Sequence, residues 1–369
     1  PGTVAGIDPD FKLPQVWKNT LAADFKLPLP FNTEMTIEGI YAKNLNAVIQ
    51  QNVNVIPLSD SKMKRFAGPD NRYLYPGSTE SRIYKDMSGA YILTNTTKGY
   101  SYSLNASLRM NPIENLNAML SYTYTGSKEV SGNPGAQPNE LWQNVPTVNG
   151  GNYMELTNSQ YLTPHKVIAS LSYRIPYAKN FATSVSLFYS GYNAGNFSYM
   201  YDGDMNQDGI NNDLIYIPKS KDELTFVDKN GFTAEQQAEA FWNYVNQDSY
   251  LKNHKGEYAK AYSARYPWVN QIDLKVVQDF IVKAGKTTNT LQVSLDIFNL
   301  GNLLKDTWGV TKVPVNSGRI LKYEGVTADN VPTFSMYQSE NKLPTETFSY
   351  LKNSSNCWQI QVGIRYIFN

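Results

Sequence analysis

Apolar and polar side chains alternate with a period of two along most of the chain, the pattern of strands with one apolar face. At the C-terminus Trp358, Ile360, Val362, Ile364, Tyr366 and Phe368 share one face. Gln359, Gln361, Gly363 and Arg365 share the other with Ile367. Leu291, Val293, Leu295 and Ile297 alternate with Gln292, Ser294 and Asp296. The same rhythm runs through Ile272–Val276, Val185–Tyr189, Val167–Ile175, Leu116–Tyr124 and Tyr102–Met110, and more weakly through 15–27 and 32–50. It predicts about nine strands, many of ten residues or more, the length of a tilted membrane-spanning strand.

The connections sharpen this. Short ones (Pro28-Leu29-Pro30, 111–114, 177–180, 283–289) alternate with long ones at about 51–88, 128–164, 194–265 and 301–355. Outer-membrane barrels sort their connections in this way, with short periplasmic turns and long extracellular loops. The expected fold class is therefore all-β: a transmembrane antiparallel β-barrel, with residues 1–369 as the C-terminal part of one barrel domain. Nine strands place residue 1 in a further outer loop. An odd strand number leaves unpaired edges, which lipid does not tolerate. Either more chain precedes Pro1 or another chain completes the sheet. Within the third long loop, 233–250 reads as a helix. Thr233 and Gln236 form a capping-box pattern, and Ala234, Ala238, Phe241, Trp242 and Val245 share a face.

Composition narrows the function. Only 18% of the 369 residues are charged, against 41% hydrophobic, and there are 27 Tyr. That balance suits strands with polar surfaces. A net charge of +1 gives no electrostatic case for nucleic acid. One cysteine, Cys357, rules out an internal disulfide framework and a thiolate cluster. The two histidines, His165 and His254, have no legible catalytic partners, and the reading is non-enzymatic. No apolar run of 18 residues occurs and no signal peptide opens the chain, so any membrane crossing is made by strands.

Four groups of residues carry candidate roles. Asp202, Asp204, Asn206, Asp208 and Asp213 offer oxygen ligands at alternating positions, with Gly209 at a sharp turn. Read from Asp204 this is the start of a calcium loop, and calcium is the candidate cofactor. Ile215 stands where an EF-hand needs its closing Glu, so the site is not an EF-hand. Asp213 or Asp202 would close it, and the alternative is an Asx-rich turn without metal. Tyr192, Phe197, Tyr199 and Tyr201 are candidate ligand contacts at strand tips and loops. Trp17, Tyr122, Tyr173, Trp358 and Tyr366 suit a membrane–water girdle. Arg109, Arg174, Asp273, Lys275, Asp296 and Arg365 fall on polar faces and are expected to line the barrel wall.

From Leu295 to Gly309 the chain reads LDIFNLGNLLKDTWG, and Gly363–Asn369 reads GIRYIFN. The first resembles the strand-end pattern near the C-terminus of TonB-dependent outer-membrane receptors. The second resembles their terminal strand, with its penultimate aromatic. The stretches Phe11–Lys18, Leu93–Tyr102 and Asp204–Pro218 resemble the Oar-like group of Bacteroidota receptors. The resemblance implies a 22-stranded barrel around a plug domain and energised uptake through a TonB box. On that reading this chain holds the last nine strands, without plug or TonB box. Its partners would be outer-membrane lipid, the N-terminal remainder with the plug, and TonB through that plug. The expected function is part of such a transporter in a Gram-negative outer membrane, with outer loops helping to bind an unidentified ligand. The alternatives are a passive or structural outer-membrane barrel and a secreted glycan-binding β-sandwich.

Overall fold

The computed structural model describes residues 2–29, 31–132, 135–137 and 139–368. Pro1, Pro30 of the first expected turn and the terminal Asn369 lie outside the described residues. The main strands are β1 (Gly2–Ile7), β2 (Gln15–Leu27), β3 (Asn32–Asn52), β4 (Met87–Thr96), β5 (Tyr100–Asn111), β6 (Leu116–Glu129), β7 (His165–Tyr177), β8 (Phe181–Asn193), β9 (Trp268–Ala284), β10 (Thr287–Phe298) and β11 (Gln359–Phe368). From β2 to β11 they form one antiparallel meander. Strands β4 and β5 are two parts of one descending strand. Ala47 pairs with Thr96 and Asn32 with Asn111 in one unbroken register, and the Asn44 amide donates to the Gly99 carbonyl at 3.1 Å between them.

Register carries the alternation across the sheet. Along one row Leu27 faces Thr33, then Met110, Ala118, Leu171, Leu187, Leu274, Ile297 and Ile360. An adjacent row on the opposite face runs Asn117, Ser172, Ser186, Lys275, Asp296 and Gln361. A one-residue slip anywhere would send apolar side chains to the polar face. The apolar face is bare: Leu187 is 41% exposed and Ile364 75%. A sandwich would bury this face under a second sheet. None covers it among the described residues, which speaks against the β-sandwich alternative.

Aromatic rings mark two levels on the apolar face. Trp17, Tyr41, Tyr102, Tyr122, Trp268 and Trp358 lie toward the long connections. Tyr173, Tyr177, Phe181, Phe280, Tyr366 and Phe368 lie toward the short turns. From Trp268 to Phe280 the strand runs about 40 Å, or about 28 Å along the normal at a ~45° tilt. That matches the roughly 25 Å apolar band of an outer-membrane barrel. At the upper level Tyr102 lies across Gly126, its directly paired neighbour, and a Cβ there would collide with the ring.

The long connections, 53–86, 130–164, 194–267 and 299–358, all leave the same end of the sheet. The short turns, 28–31, 112–115, 178–180 and 285–286, lie at the other end. Residue 2 onward was expected as loop, but Gly2–Ile7 is a strand, parallel to β4. Backbone pairing with the raised top of the β3–β4 hairpin explains it. The chain then crosses that hairpin, where the Lys12 amide donates to Asn95 Oδ1 at 2.6 Å and Asn95 Nδ2 donates to the Lys12 carbonyl at 2.9 Å. It descends again as β2 on the far side of β3. The outer edges of β2 and β11 are unpaired among the described residues, and the two strands run in the same direction.

Candidate functional site

The hydrophobic core lies almost wholly in the long connections. Tyr201, Met205, Ile217, Tyr244, Val245, Leu251 and Phe334 are all fully buried there. A small sheet ties the third and fourth connections together. Tyr201–Asp202 pairs with Leu321–Val326, which pairs with Pro332–Met336, which pairs with Thr225–Phe226. The helix Ala234–Gln247 packs on this sheet, with both hydrogen bonds of the Thr233–Gln236 capping box in place. Asp248, just past the helix, accepts from Tyr199 Oη and from Thr347 Oγ1, each at 2.8 Å.

The first connection joins through a buried ion network. Arg72 is fully buried. Its Nε donates to Asp70 Oδ1 at 2.9 Å and its Nη2 to Asp70 Oδ2 at 3.0 Å. Its other bonds reach the third connection, to Asp213 Oδ1 at 3.3 Å and the Leu214 carbonyl at 2.6 Å. Tyr201 and Tyr258 hydroxyls donate to Asp70 at 2.9 and 3.0 Å. Burial opposes charge on Arg72, but Asp70, Tyr201 and Asp213 outweigh it and hold the guanidinium proton above its usual range. Arg319 of the fourth connection donates to the Tyr201 and Asn211 carbonyls at 2.7 and 2.8 Å.

The Asp-rich motif closes on itself. Asp213 Oδ2 accepts from the Met205 and Asn206 amides, Asn206 Oδ1 from the Asp208 amide, Asp208 Oδ1 from the Ile210 amide and Asp204 Oδ2 from the Gly209 amide. Gly209 at φ +96° makes the turn. Asp202 stands apart on its strand, paired with Lys322. Among the described residues no three carboxylate, histidine or cysteine groups gather to hold a metal ion. The hydrogen bonds among these residues are those of the Asx-turn alternative. One side-chain oxygen each of Asp204, Asn206, Asp208 and Asp213 accepts from backbone amides, and the positive charge facing Asp213 is Arg72. Burial, then the neighbouring Asp204, pushes the Asp208 carboxyl up to about 7. Burial raises Asp204 as well, and its Oδ1 is buried without a hydrogen-bond partner.

The candidate ligand contacts divide. Phe197, Tyr199 and Tyr201 are 6, 1 and 0% exposed and belong to the core. Phe197 packs edge-on against Tyr199, Tyr266 and Phe348, and Tyr201 stacks on Phe334 at 5.2 Å. Rings that bury this much surface build a core before they serve a ligand. Tyr192 is half-buried near the top of β8, opposite Lys166 and Val269. On the terminal strand Trp358, Ile360, Val362, Ile364, Tyr366 and Phe368 are 43 to 75% exposed.

Two further surfaces are open to a ligand or partner. One is a cleft of about 420 Å³ between the second and third connections, lined by Thr147, Asn149, Tyr153, Glu155, Glu257 and Lys260. Sequence reasoning missed it because its walls are apart in the chain and irregular in structure. It missed Asp70 and Arg72 too, although an Asp-x-Arg step beside Tyr73-Leu74-Tyr75 was the available signal. The other is the polar face of the sheet. There Lys275 pairs with Asp296 at 2.6 Å and Arg174 with Asp279 at 2.9 Å, while Asp273 accepts from the Asn299 amide at 2.7 Å. Arg109 stands opposite Glu34, and Arg365 opposite Gln292.

A family model described as an outer membrane beta barrel domain matches residues 1–318. No curated protein matches the chain. Among solved structures it is similar to the crystal structure of the outer membrane transporter YddB from Escherichia coli. That match has 11% identity and a TM-score of 0.40, covering 98% of this chain and 33% of the other. The chain thus spans about a third of that transporter's length.

Proposed function

The chain belongs to the outer membrane beta barrel domain family and resides in the outer membrane; from that premise we propose that it is part of a TonB-dependent transporter. In this reading the nine-stranded meander is completed by an odd number of further strands. Two edges running in the same direction cannot pair antiparallel with each other, and an open edge is costly in lipid. A plug fills the lumen against the polar face, and energy delivered through the plug moves the ligand inward. The outer connections contribute to ligand binding, with the cleft beside Glu155, Glu257 and Lys260 as the contact surface. The mechanism is displacement of the plug, with no covalent chemistry in these residues.

The observation that carries the proposal is the common core of the outer connections. A passive channel gains nothing from a folded domain over its mouth, whereas a receptor needs a shaped surface there. Two measurements on protein extracted from outer membranes test it. Peptide mapping should find these strands on the same polypeptide as a plug and a TonB box. Planar-bilayer recording should find the protein closed at rest. A steady open conductance without a plug would replace the proposal with a passive barrel.

A further inference from the structure

The long-loop end of the lipid-facing surface carries a cleft that the transport reading does not use. It has a volume of about 400 Å³ and lies where β9 rises past the end of β10. Trp268 and Ile272 form one wall, and Trp308, Val310, Lys312 and Tyr350 of the fourth connection form the other. Trp268 pairs with Asn193 and Ile272 with Tyr189, which puts both on the face that carries Leu274. The cleft therefore opens onto the apolar band at its upper aromatic level. Trp308 is 54% exposed and the neighbouring Leu304 72%, so the apolar surface continues past the strands onto this connection.

One ammonium group lines it and a second lies beside its Trp308 wall. Lys312 Nζ lies 4.7 Å from the Tyr350 ring centroid, and Lys305 Nζ lies 5.9 Å from that of Trp308. Neither forms an ion pair among the described residues. Asp306 is the one carboxylate between Asn299 and Val313, which leaves the segment net positive. Amines held over aromatic faces at the edge of an apolar cleft are matched by a ligand with an anionic head and hydrocarbon below it.

We propose that this cleft binds a phosphorylated glycolipid of the outer leaflet. An acyl chain lies against Ile272 and Trp268, and a headgroup phosphate is held by Lys312 and Lys305. Continuity with the lipid-facing surface selects a lipid, and the unpaired amines select a phosphate. The occupant is a neighbour of the barrel in its own membrane and is distinct from the transported ligand. The inference rests on outer-membrane residence and survives if the transport reading fails.

The test uses the protein extracted from outer membranes and washed free of loosely held lipid. Bisphosphorylated lipid A, its dephosphorylated form and inorganic phosphate are titrated separately, with binding read by native mass spectrometry. Phosphorylated lipid A is expected to bind, with the dephosphorylated form about tenfold weaker. The exposed double substitution Lys305→Gln with Lys312→Gln should lose the same factor while keeping the heat-modifiable mobility of a folded barrel. Inorganic phosphate alone should not bind. Equal binding of both lipid forms, or competition by inorganic phosphate at equal concentration, would overturn the proposal. The comparison of the two lipids needs no variant and stands even if the substitutions disturb folding.

Discussion

Arg72 ties the first long connection to the third. Its guanidinium is shared by Asp70 in the first connection and by Asp213 and the Leu214 carbonyl in the third. Arg72→Met would leave two buried carboxyl groups without their counter-charge. Removing one partner of a buried pair costs about 3–5 kcal/mol. We expect hydrogen exchange in the outer connections to rise sharply while the strands stay protected. Equal loss in both regions would contradict the assignment. Asp208 gives a pH dependence whose sign follows from its environment. Its folded pKa of about 7 lies above the ordinary carboxyl value, so between pH 4 and 7 the folded state holds a proton that the unfolded state has released. The stability of the Asp-rich turn should therefore be greatest near pH 4 and fall as pH rises through 7. Asp208→Asn should flatten that profile, measured by exchange at the Gly209 and Ile210 amides. Chelation of calcium should leave the melting curve of the outer connections unchanged, since Arg72 supplies the positive charge at Asp213. The motif's turn was legible in the sequence because Asx spacing and Gly209 act locally. The arginine that faces Asp213 was not legible, because it lies 141 positions away.

At the scale of elements, strands were the most legible. Their faces need only a period of two, and one row of pairs confirms the alignment from Leu27 to Ile360. Leu187→Arg, in the middle of the apolar face, should cost about 2–4 kcal/mol in a folding titration into lipid. Ser186→Arg on the polar face should be nearly neutral, and similar costs for the two would mean that the faces are reversed. The helix was legible at its start, where Thr233 and Gln236 bond reciprocally. Thr233→Ala should destabilise it by about 1 kcal/mol, seen as faster exchange in its first turn. Its buried face was only partly legible. Gln237 is fully buried because its side chain donates to the Val227 carbonyl and accepts from the Met336 amide. Tyr244 is buried too, while Trp242 is partly buried at the margin of the core, beneath Lys255 at 4.2 Å. Counting apolar residues cannot find a glutamine that serves two other backbones.

For the whole molecule, the sheet and the outer domain obey different rules. The sheet is built from neighbours in sequence, each strand pairing mainly with the next. The outer domain is built from segments that the sheet holds apart. Its core was not legible as a core because Phe66, Tyr201, Leu251 and Phe334 come from three different connections, and no periodicity links them. The same separation governs time. Arg72 meets Asp213 across 141 positions, and Asn330 donates to the Arg65 carbonyl across 265. Such contacts bear the loop-closure cost of everything between them, and they become local only after the intervening strands have paired. The outer domain therefore acts as a clock on assembly. Its closure would record that the last hairpin has joined the sheet, and a sheet stalled one strand short would leave these segments open to any protease.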